Sequence, residues 1–270
     1  MLRFLYETVG GRLILKLLTT RTLSRIVGRF MDSKMSRCLV PFFVKVNHIN
    51  LSECEKQHFK SFNDCFTREV REGARSFDPD ETKLLSPSDA DLSVYTIKKD
   101  TVIPVKQSRY TIDDLLRDPE DAERFYDGYC LVFRLSVHHY HRYGYAVSGK
   151  KDKDRFIRGI LHTVQPIALR SVPVFAENCR SISRIHSQRF GEVAQIEVGA
   201  MLVGKIRNFQ SGEAMAVRGE RKGMFLYGGS TVILLMQKDK VKLRDEFFDN
   251  TEKGIETPVR YGESIGVSLT

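Results

Sequence analysis

Three stretches of this chain bring side chains able to do chemistry into short spacing. Gly228-Gly229-Ser230-Thr231 runs directly into the apolar segment Val232-Ile233-Leu234-Leu235-Met236. Two glycines allow backbone angles that other residues resist, so the Ser230 hydroxyl can approach the carbonyl that precedes it. The same residues also make an ordinary tight turn into a core strand. Arg134-Leu135-Ser136-Val137-His138-His139-Tyr140-His141-Arg142-Tyr143 holds three of the seven histidines within four positions. On a strand end His139 and His141 would share one face, with His138 on the other, which suits a metal pair or, more simply, an imidazole acting as acid or base. No further ligand set accompanies them, so no metal is expected. Leu85-Ser86-Pro87-Ser88-Asp89-Ala90-Asp91 is a turn with two carboxylates just before a strand. It reads either as Asx-turn chemistry or as a carboxylate that orients a histidine beside a serine.

Positioning those residues falls to a strand-rich body behind a helical front. Ser52-Glu53-Cys54-Glu55 reads as a capping box that opens a helix. Phe59, Phe62, Phe66 and Val70 would form its buried stripe to about Glu72, with Gly73 as the stop and Pro79 beyond. From residue 84 the segments 92–97, 129–137, 193–198, 201–206 and 231–236 read as strands separated by glycine-marked turns. That density of short strands predicts a mainly antiparallel β body, a sandwich or a barrel. Segment 113–124 reads as a polar helical insertion. The expected fold class is α+β: a helical, membrane-associated N-terminal region (1–50) followed by a β catalytic body (51–270).

Composition narrows the function classes. The chain has 270 residues, of which 41% are hydrophobic and 29% charged, and its mean hydropathy is −0.29. This balance excludes wholesale disorder, a collagen-like repeat and a polytopic membrane protein. Cys38, Cys54, Cys65, Cys130 and Cys179 are scattered, odd in number and without a Cys-x-x-Cys pair, which argues for a reducing compartment over a disulfide framework. No segment reads as a signal peptide. The net charge of +9 is concentrated: in residues 1–50 nine basic side chains face only Glu7 and Asp32, so this arm holds +7 of it. Leu2, Leu5, Val9, Leu13, Leu17, Leu23, Ile26 and Phe30 recur there at helical spacing, with basic residues between them. Such a helix can lie in a bilayer interface, where anionic headgroups add about 1 kcal/mol per nearby cation; it can also pack on the protein's own core. Arg12 and Lys16 interrupt the apolar run, and a spanning helix needs about 20 apolar residues. Nucleic-acid binding fits less well, because the interleaved aliphatic residues would be wasted on phosphates.

Taken in order, these stretches resemble the phosphatidylserine decarboxylase proenzymes. Phe62-Asn63-Asp64-Cys65-Phe66-Thr67-Arg68-Glu69 resembles the family's FNDFFTRxL helix, and Gly73-Ala74-Arg75 its GARP turn. Ser86-Pro87-Ser88-Asp89-Ala90 resembles SPxDG, Tyr140-His141-Arg142 the DYHR core, and Val172-Pro173-Val174-Phe175-Ala176-Glu177-Asn178 the xNPxLFxxNER stretch. Val198 to Ile206 is similar to VGAxxVGxI, and Gly219 to Phe225 followed by Gly228-Gly229-Ser230-Thr231-Val232-Ile233 is similar to the KGxExGxFxxGSTV ending. Two departures stand out. His139 occupies the position where the family usually has Asp, and Gly144 the position where many members carry a second His.

The resemblance implies a pyruvoyl-dependent carboxy-lyase that makes its own cofactor. Ser230 would attack the carbonyl of Gly229 and split the precursor into a β chain (1–229) and an α chain (230–270), leaving a pyruvoyl group at position 230. That group would form a Schiff base with phosphatidylserine and release phosphatidylethanolamine and carbon dioxide. It also implies His141 as the base and Asp89 as the carboxylate that holds it; the role of the second His is absent, or filled by His138, His139, His141 or His162. The expected partners are phosphatidylserine, an anionic membrane surface at the cytoplasmic face of the cell membrane, the paired α and β chains, and a homodimer; nucleic acid is not expected. Two other readings remain: a lipid-surface binding protein of the same fold that never matures, and a decarboxylase of a related amino-phospholipid.

Overall fold

The structure is a computed structural model, and it describes residues 21–99, 103–105, 108–159, 178–199, 206–227 and 230–270. The apolar positions from Leu2 to Leu17, the glycine pair 228–229, His162, the segment 172–177 and most of the expected strand 201–206 lie outside the described residues.

Among the described residues the helical front runs from α1 (Arg21–Asp32) through a 3-10 turn (Lys34–Leu39) into α2 (Val40–Val46), and ends with the single-turn α3 (Phe62–Phe66). The body is built on strands β1 (Ala90–Thr96), β2 (Tyr129–Leu135), β3 (Arg142–Gly144), β4 (Arg180–Ser187), β5 (Gly191–Val198), β6 (Arg221–Phe225) and β7 (Ser230–Met236), with shorter strands at the edges. Among the described residues a nine-stranded sheet runs in the order Ala214–Ala216, Gly149–Lys151, β4, β5, β7, β2, β1, Thr257–Val259, with Arg155–Ile157 also paired to β4. A three-stranded sheet holds Ile206–Asn208, β6 and β3 in that order. These ladders are antiparallel, so the mainly antiparallel β body expected from the sequence is what forms.

Strand β7 sits at the centre because every one of its seven residues, Ser-Thr-Val-Ile-Leu-Leu-Met, is buried. A strand covered on both faces reads as a continuous apolar, β-branched run and does not alternate. Its register pairs Ser230 with Leu135 and Met236 with Tyr129 on one side. On the other side Thr231 pairs with Val198 and Met236 with Val193. Val232, Leu234 and Met236 join Leu92, Val94, Leu131, Phe133, Leu135 and Phe247 in the main core, each fully buried side chain contributing about 1.5–3 kcal/mol.

The helix expected from Ser52 to about Glu72 is a correction. Only Phe62–Phe66 is helical, capped by the Ser61 hydroxyl, which accepts the Asp64 N–H, while the Asp64 carboxylate accepts the Lys60 N–H. Ser52 turns back on Asn50 instead. The cause is tertiary: Cys54 bridges to Val70, with Glu55 N–H on the Glu69 carbonyl and Arg71 N–H on the Glu53 carbonyl. Residues on both sides are therefore held extended, where the aromatic spacing alone favours a helix. Phe59, Phe62 and Phe66 still share one buried cluster, with Val40, Phe43, Ile49 and Cys65. The expected insertion 113–124 forms as two short helices, Ile112–Leu116 and Pro119–Glu123, divided where Arg117 takes a left-handed conformation (φ 48°) just before Asp118-Pro119.

The small sheet is fixed against the large one by buried charge. Lys222 Nζ on β6 lies 2.6 Å from Glu197 Oε2 on β5, both without exposed side-chain surface. Asn208 donates to Asp154 and to Glu197, and the Tyr143 hydroxyl on β3 donates to Asn208. Buried ions persist only when paired and hydrogen-bonded, so this network sets where β3 and β6 sit relative to β5 and its neighbour β7.

Candidate active site

His141 lies at the edge strand of the three-stranded sheet, and Ser230 opens β7 in the nine-stranded sheet. His141 is the residue before β3, and its carbonyl accepts the Phe225 N–H at 2.9 Å, which ties it to the end of β6, the strand that leads toward Ser230. The imidazole lies against Phe66, ring centroids 3.8 Å apart, and Phe66 and Phe62 both meet Tyr227 edge-on. Nδ1 of His141 is 2.9 Å from the His139 carbonyl oxygen. A carbonyl can only accept, so the proton sits on Nδ1 and the lone pair on Nε2. Nε2 is buried and has no hydrogen-bond partner among the described residues. Burial, with the Arg68 guanidinium adding to it, pushes the imidazole well below its usual range, so it is neutral near pH 7.

His139 has the opposite tautomer. Its Nδ1 accepts the Ser136 N–H at 2.9 Å, and its Nε2 stands 4.0 Å from Asp91 Oδ1. Burial, partly opposed by the Asp91 carboxylate, draws it down to about 4. The expected strand 129–137 ends at Leu135, because the His139 N–H closes a turn onto the Ser136 carbonyl. His139 and His141 therefore do not share a strand face. The His138 ring lies tilted against that of His139, with centroids 4.2 Å apart.

Asp89 is held elsewhere than expected. The Arg75 fork donates from Nε at 2.9 Å and from its terminal nitrogen at 2.5 Å, and the Tyr261 N–H adds a third bond at 2.8 Å. No hydrogen bond joins Asp89 to His141; the His139 carbonyl takes that place. The turn bearing Asp89 is nevertheless stitched to the histidine strand, since the Gly144 N–H donates to the Pro87 carbonyl at 2.9 Å. Asp91 joins Arg134 (2.7 Å), which also holds Glu256. Gly144 itself leaves no room for a second His. A Cβ there would press on the Tyr261 hydroxyl, stand 2.8 Å from Tyr261 Cε2 and meet the Glu220 carbonyl oxygen at 2.5 Å.

Six buried side-chain polar atoms lack a partner among the described residues: Arg68 NH1, Ser88 Oγ, Tyr140 OH, His141 Nε2, Ser230 Oγ and Thr231 Oγ1. Five of them lie in the three stretches singled out for chemistry, and the sixth, Arg68, is in the Phe62–Glu69 motif. Unsatisfied buried groups are uncommon and call for an explanation. Here they include a serine hydroxyl and an imidazole lone pair, both removed from water, groups that acyl transfer can use. A cavity of about 850 Å³ is bordered by Arg75, Tyr140, Arg221 and Tyr261, on the Asp89 side; neither Ser230 nor His141 lines it. Among the described residues no group of three or more His, Cys, Asp or Glu is arranged to hold a metal ion.

Sequence reasoning quoted Arg68 and Arg75 as parts of motifs but gave neither a role. For Arg75 a signal was available, since it stands in the turn-forming stretch Gly73-Ala74-Arg75-Ser76; Arg68, among Asn63, Asp64, Thr67, Glu69 and Arg71, carries none that the residues alone reveal.

The phosphatidylserine decarboxylase family model matches residues 62–267. The chain is 41% identical, over 98% of its length and 91% of the relative's, to a phosphatidylserine decarboxylase proenzyme 2 of Clostridium acetobutylicum. It is 40% identical to a phosphatidylserine decarboxylase proenzyme of Ruminiclostridium cellulolyticum over 98% and 90% of the two chains. Against one of Desulfitobacterium hafniense it is 38% identical over 99% and 91%.

Proposed function

The chain belongs to the phosphatidylserine decarboxylase family, as a carboxy-lyase that converts phosphatidylserine to phosphatidylethanolamine and carbon dioxide, and from that premise we propose where it cuts itself and which groups do the work. The cut falls between Gly229 and Ser230, giving a β chain of 229 residues and an α chain of 41. The observation that carries this is two buried and chemically complementary atoms without partners among the described residues, Ser230 Oγ and His141 Nε2.

As Oγ attacks the carbonyl carbon of residue 229, its proton passes to Nε2 of His141. The C–N bond breaks, the Ser230 nitrogen takes up the proton, and an ester joins residue 229 to the Ser230 side chain. Removal of the Ser230 Cα proton expels the carboxylate of residue 229 and leaves dehydroalanine. Water then replaces its nitrogen, which leaves as ammonia.

The residues present fit the pyruvoyl group that would result, since Thr231 and Ser88 offer buried hydroxyls without other partners among the described residues. In place, a pyruvoyl group supplies an electron sink for the pair released as carbon dioxide departs. His141, once protonated at Nε2, is the group able to return a proton to the substrate carbon. Asp89 acts at one remove: it anchors Arg75 and the Tyr261 backbone, and Tyr261 stacks on Tyr140, the neighbour of His141.

Pairing explains how the two chains stay together. Strand β7 opens the α chain and lies between β5 and β2 of the β chain, and Ser264–Ser268 pairs with Lys83–Leu85.

The enzyme docks on anionic bilayers at the cytoplasmic face of the cell membrane. Supporting this, Met35 is 75% and Phe42 71% exposed, with Ile26, Phe30 and Val46 also exposed, and Arg29, Lys34, Arg37 and Lys45 lie among them. Large apolar side chains clustered in water with cations between them suit a headgroup interface. Cys38, Cys54, Cys65 and Cys130 are free thiols, which fits a reducing side. Among the described residues no helix is long and apolar enough to cross a membrane.

The test is carbon dioxide release from carboxyl-labelled phosphatidylserine in mixed anionic vesicles, with vesicles of other amino-acid headgroups alongside. Release from phosphatidylserine is expected. Release only from another headgroup would reassign the substrate.

A further inference from the structure

Arginine is an unusual residue to bury beside a catalytic base, because its fixed charge opposes protonation of the neighbour. Arg68 is nonetheless buried. One of its terminal nitrogens donates to two successive carbonyls, that of His138 at 2.8 Å and that of His139 at 3.2 Å. The second of these is the carbonyl that also accepts Nδ1–H of His141. The junction is fastened reciprocally: Arg142, the residue after His141, donates from Nε to the Thr67 carbonyl at 2.9 Å and pairs with Glu69 at 2.9 Å. Each segment thus sends an arginine into the other's backbone.

We propose that Arg68 is a positioning residue for the self-cleavage reaction, turning the His139 carbonyl inward so that it fixes the tautomer and orientation of His141. The proposal rests on His141 being the base. Carbonyls buried without donors are costly, so without the guanidinium the 138–139 backbone would rotate toward water. Nδ1 of His141 would then lose its acceptor, and the proton would be free to move to Nε2, which removes the lone pair that must receive the serine proton. Arg68 also keeps that lone pair available in acid. The charged or titratable groups facing His141 are Arg68, from the segment after α3, and His138 and His139, from its own loop. Of these only Arg68 is charged at every working pH, while the aromatic Phe66 closes the ring face. The site therefore has one device that serves both geometry and protonation state.

The experiment follows cleavage of freshly translated full-length chain, in a cell-free system, into its two fragments between pH 5 and 8. Wild type, Arg68→Met, Arg68→Lys, His141→Ala and the remote core variant Leu243→Ala are compared, with thermal melting of each. Arg68→Met is expected to slow cleavage by about 10- to 100-fold, the scale of losing a positioned reactant, and to move the acid limb of the pH profile upward. Removing a like charge raises the histidine pKa, so neutral base is lost at a higher pH. Arg68→Lys should restore the acid limb toward wild type while leaving the rate below it. An Arg68→Met rate and profile equal to wild type would overturn the proposal, and so would a slowing matched by Leu243→Ala with the limb unmoved. Normal cleavage by His141→Ala would instead overturn the reading of the base, which keeps the two failures distinct.

Discussion

Nδ1 of His141 stands 2.9 Å from the carbonyl oxygen of His139, and the lone pair of the imidazole is thereby left on Nε2. Because burial and Arg68 hold this ring well below its usual range, its neutral form persists as the pH falls through the ordinary imidazole value of about 6.5. Self-cleavage is therefore expected to stay flat from pH 8 down through 6.5 and to decline only in more acid solution. A decline centred near 6.5 would mean a solvated histidine is the base; pH-jump cleavage assays on the translated precursor measure this.

Ser230→Ala removes an oxygen with no bond to any described residue, so little stability should be lost. The variant is expected to melt within about 1 kcal/mol of wild type, to remain uncut and to have no decarboxylase activity. Retained activity would end the pyruvoyl assignment, since the same residue provides both the nucleophile and the cofactor.

Asp89→Asn should yield an uncut precursor, because Arg75 and Tyr261 lose the anion that anchors them. The geometry routes this effect through Arg75 and not through direct contact with His141. Arg75→Met is therefore expected to give the same block. If Arg75→Met cleaves normally while Asp89→Asn does not, the carboxylate acts on the imidazole itself.

Much of this was legible in the residues. The continuous apolar run after Ser230 predicted a buried strand, and β7 is buried throughout. Among the described residues, the three stretches with chemical side chains contain five of the six unpartnered buried polar atoms. What could not be read was pairing across long sequence distance. The aromatic spacing from Phe59 to Phe66 satisfies a helix stripe, yet the Cys54–Val70 bridge draws its flanks into extended backbone. Periodicity describes one face of a segment; it does not register a partner strand arriving from elsewhere. Asp89 was paired with His141 because acid–histidine–serine chemistry suggests it, whereas Arg75 and Tyr261 reach it first. The missing second His has a steric reason, since Tyr261 and Glu220 occupy the space beside Gly144, and this depends on residues more than 70 positions away.

The Lys222–Glu197 pair gives a stability test separate from the chemistry. Both side chains are fully buried, so Glu197→Gln leaves an uncompensated ammonium and should cost about 3–5 kcal/mol. The double variant Glu197→Gln, Lys222→Met is expected to recover much of that loss. Denaturant unfolding of the Ser230→Ala background isolates the effect from processing; a single variant as stable as its parent would show that the pair is solvated.

Cleavage should not separate the chains. Because β7 is paired along its length on both sides, the 41-residue fragment is expected to co-elute with the larger one in size-exclusion chromatography and to leave only in denaturant. Early release of the small fragment would contradict the placement of β7 at the sheet centre.

The most direct test is the intact mass of the purified protein under denaturing conditions. Two chains of 229 and 41 residues, the shorter beginning with a pyruvoyl group in place of Ser230, are the expected result. A single uncut chain that persists with anionic membranes present, or a cut at any other peptide bond, would contradict self-cleavage at Ser230.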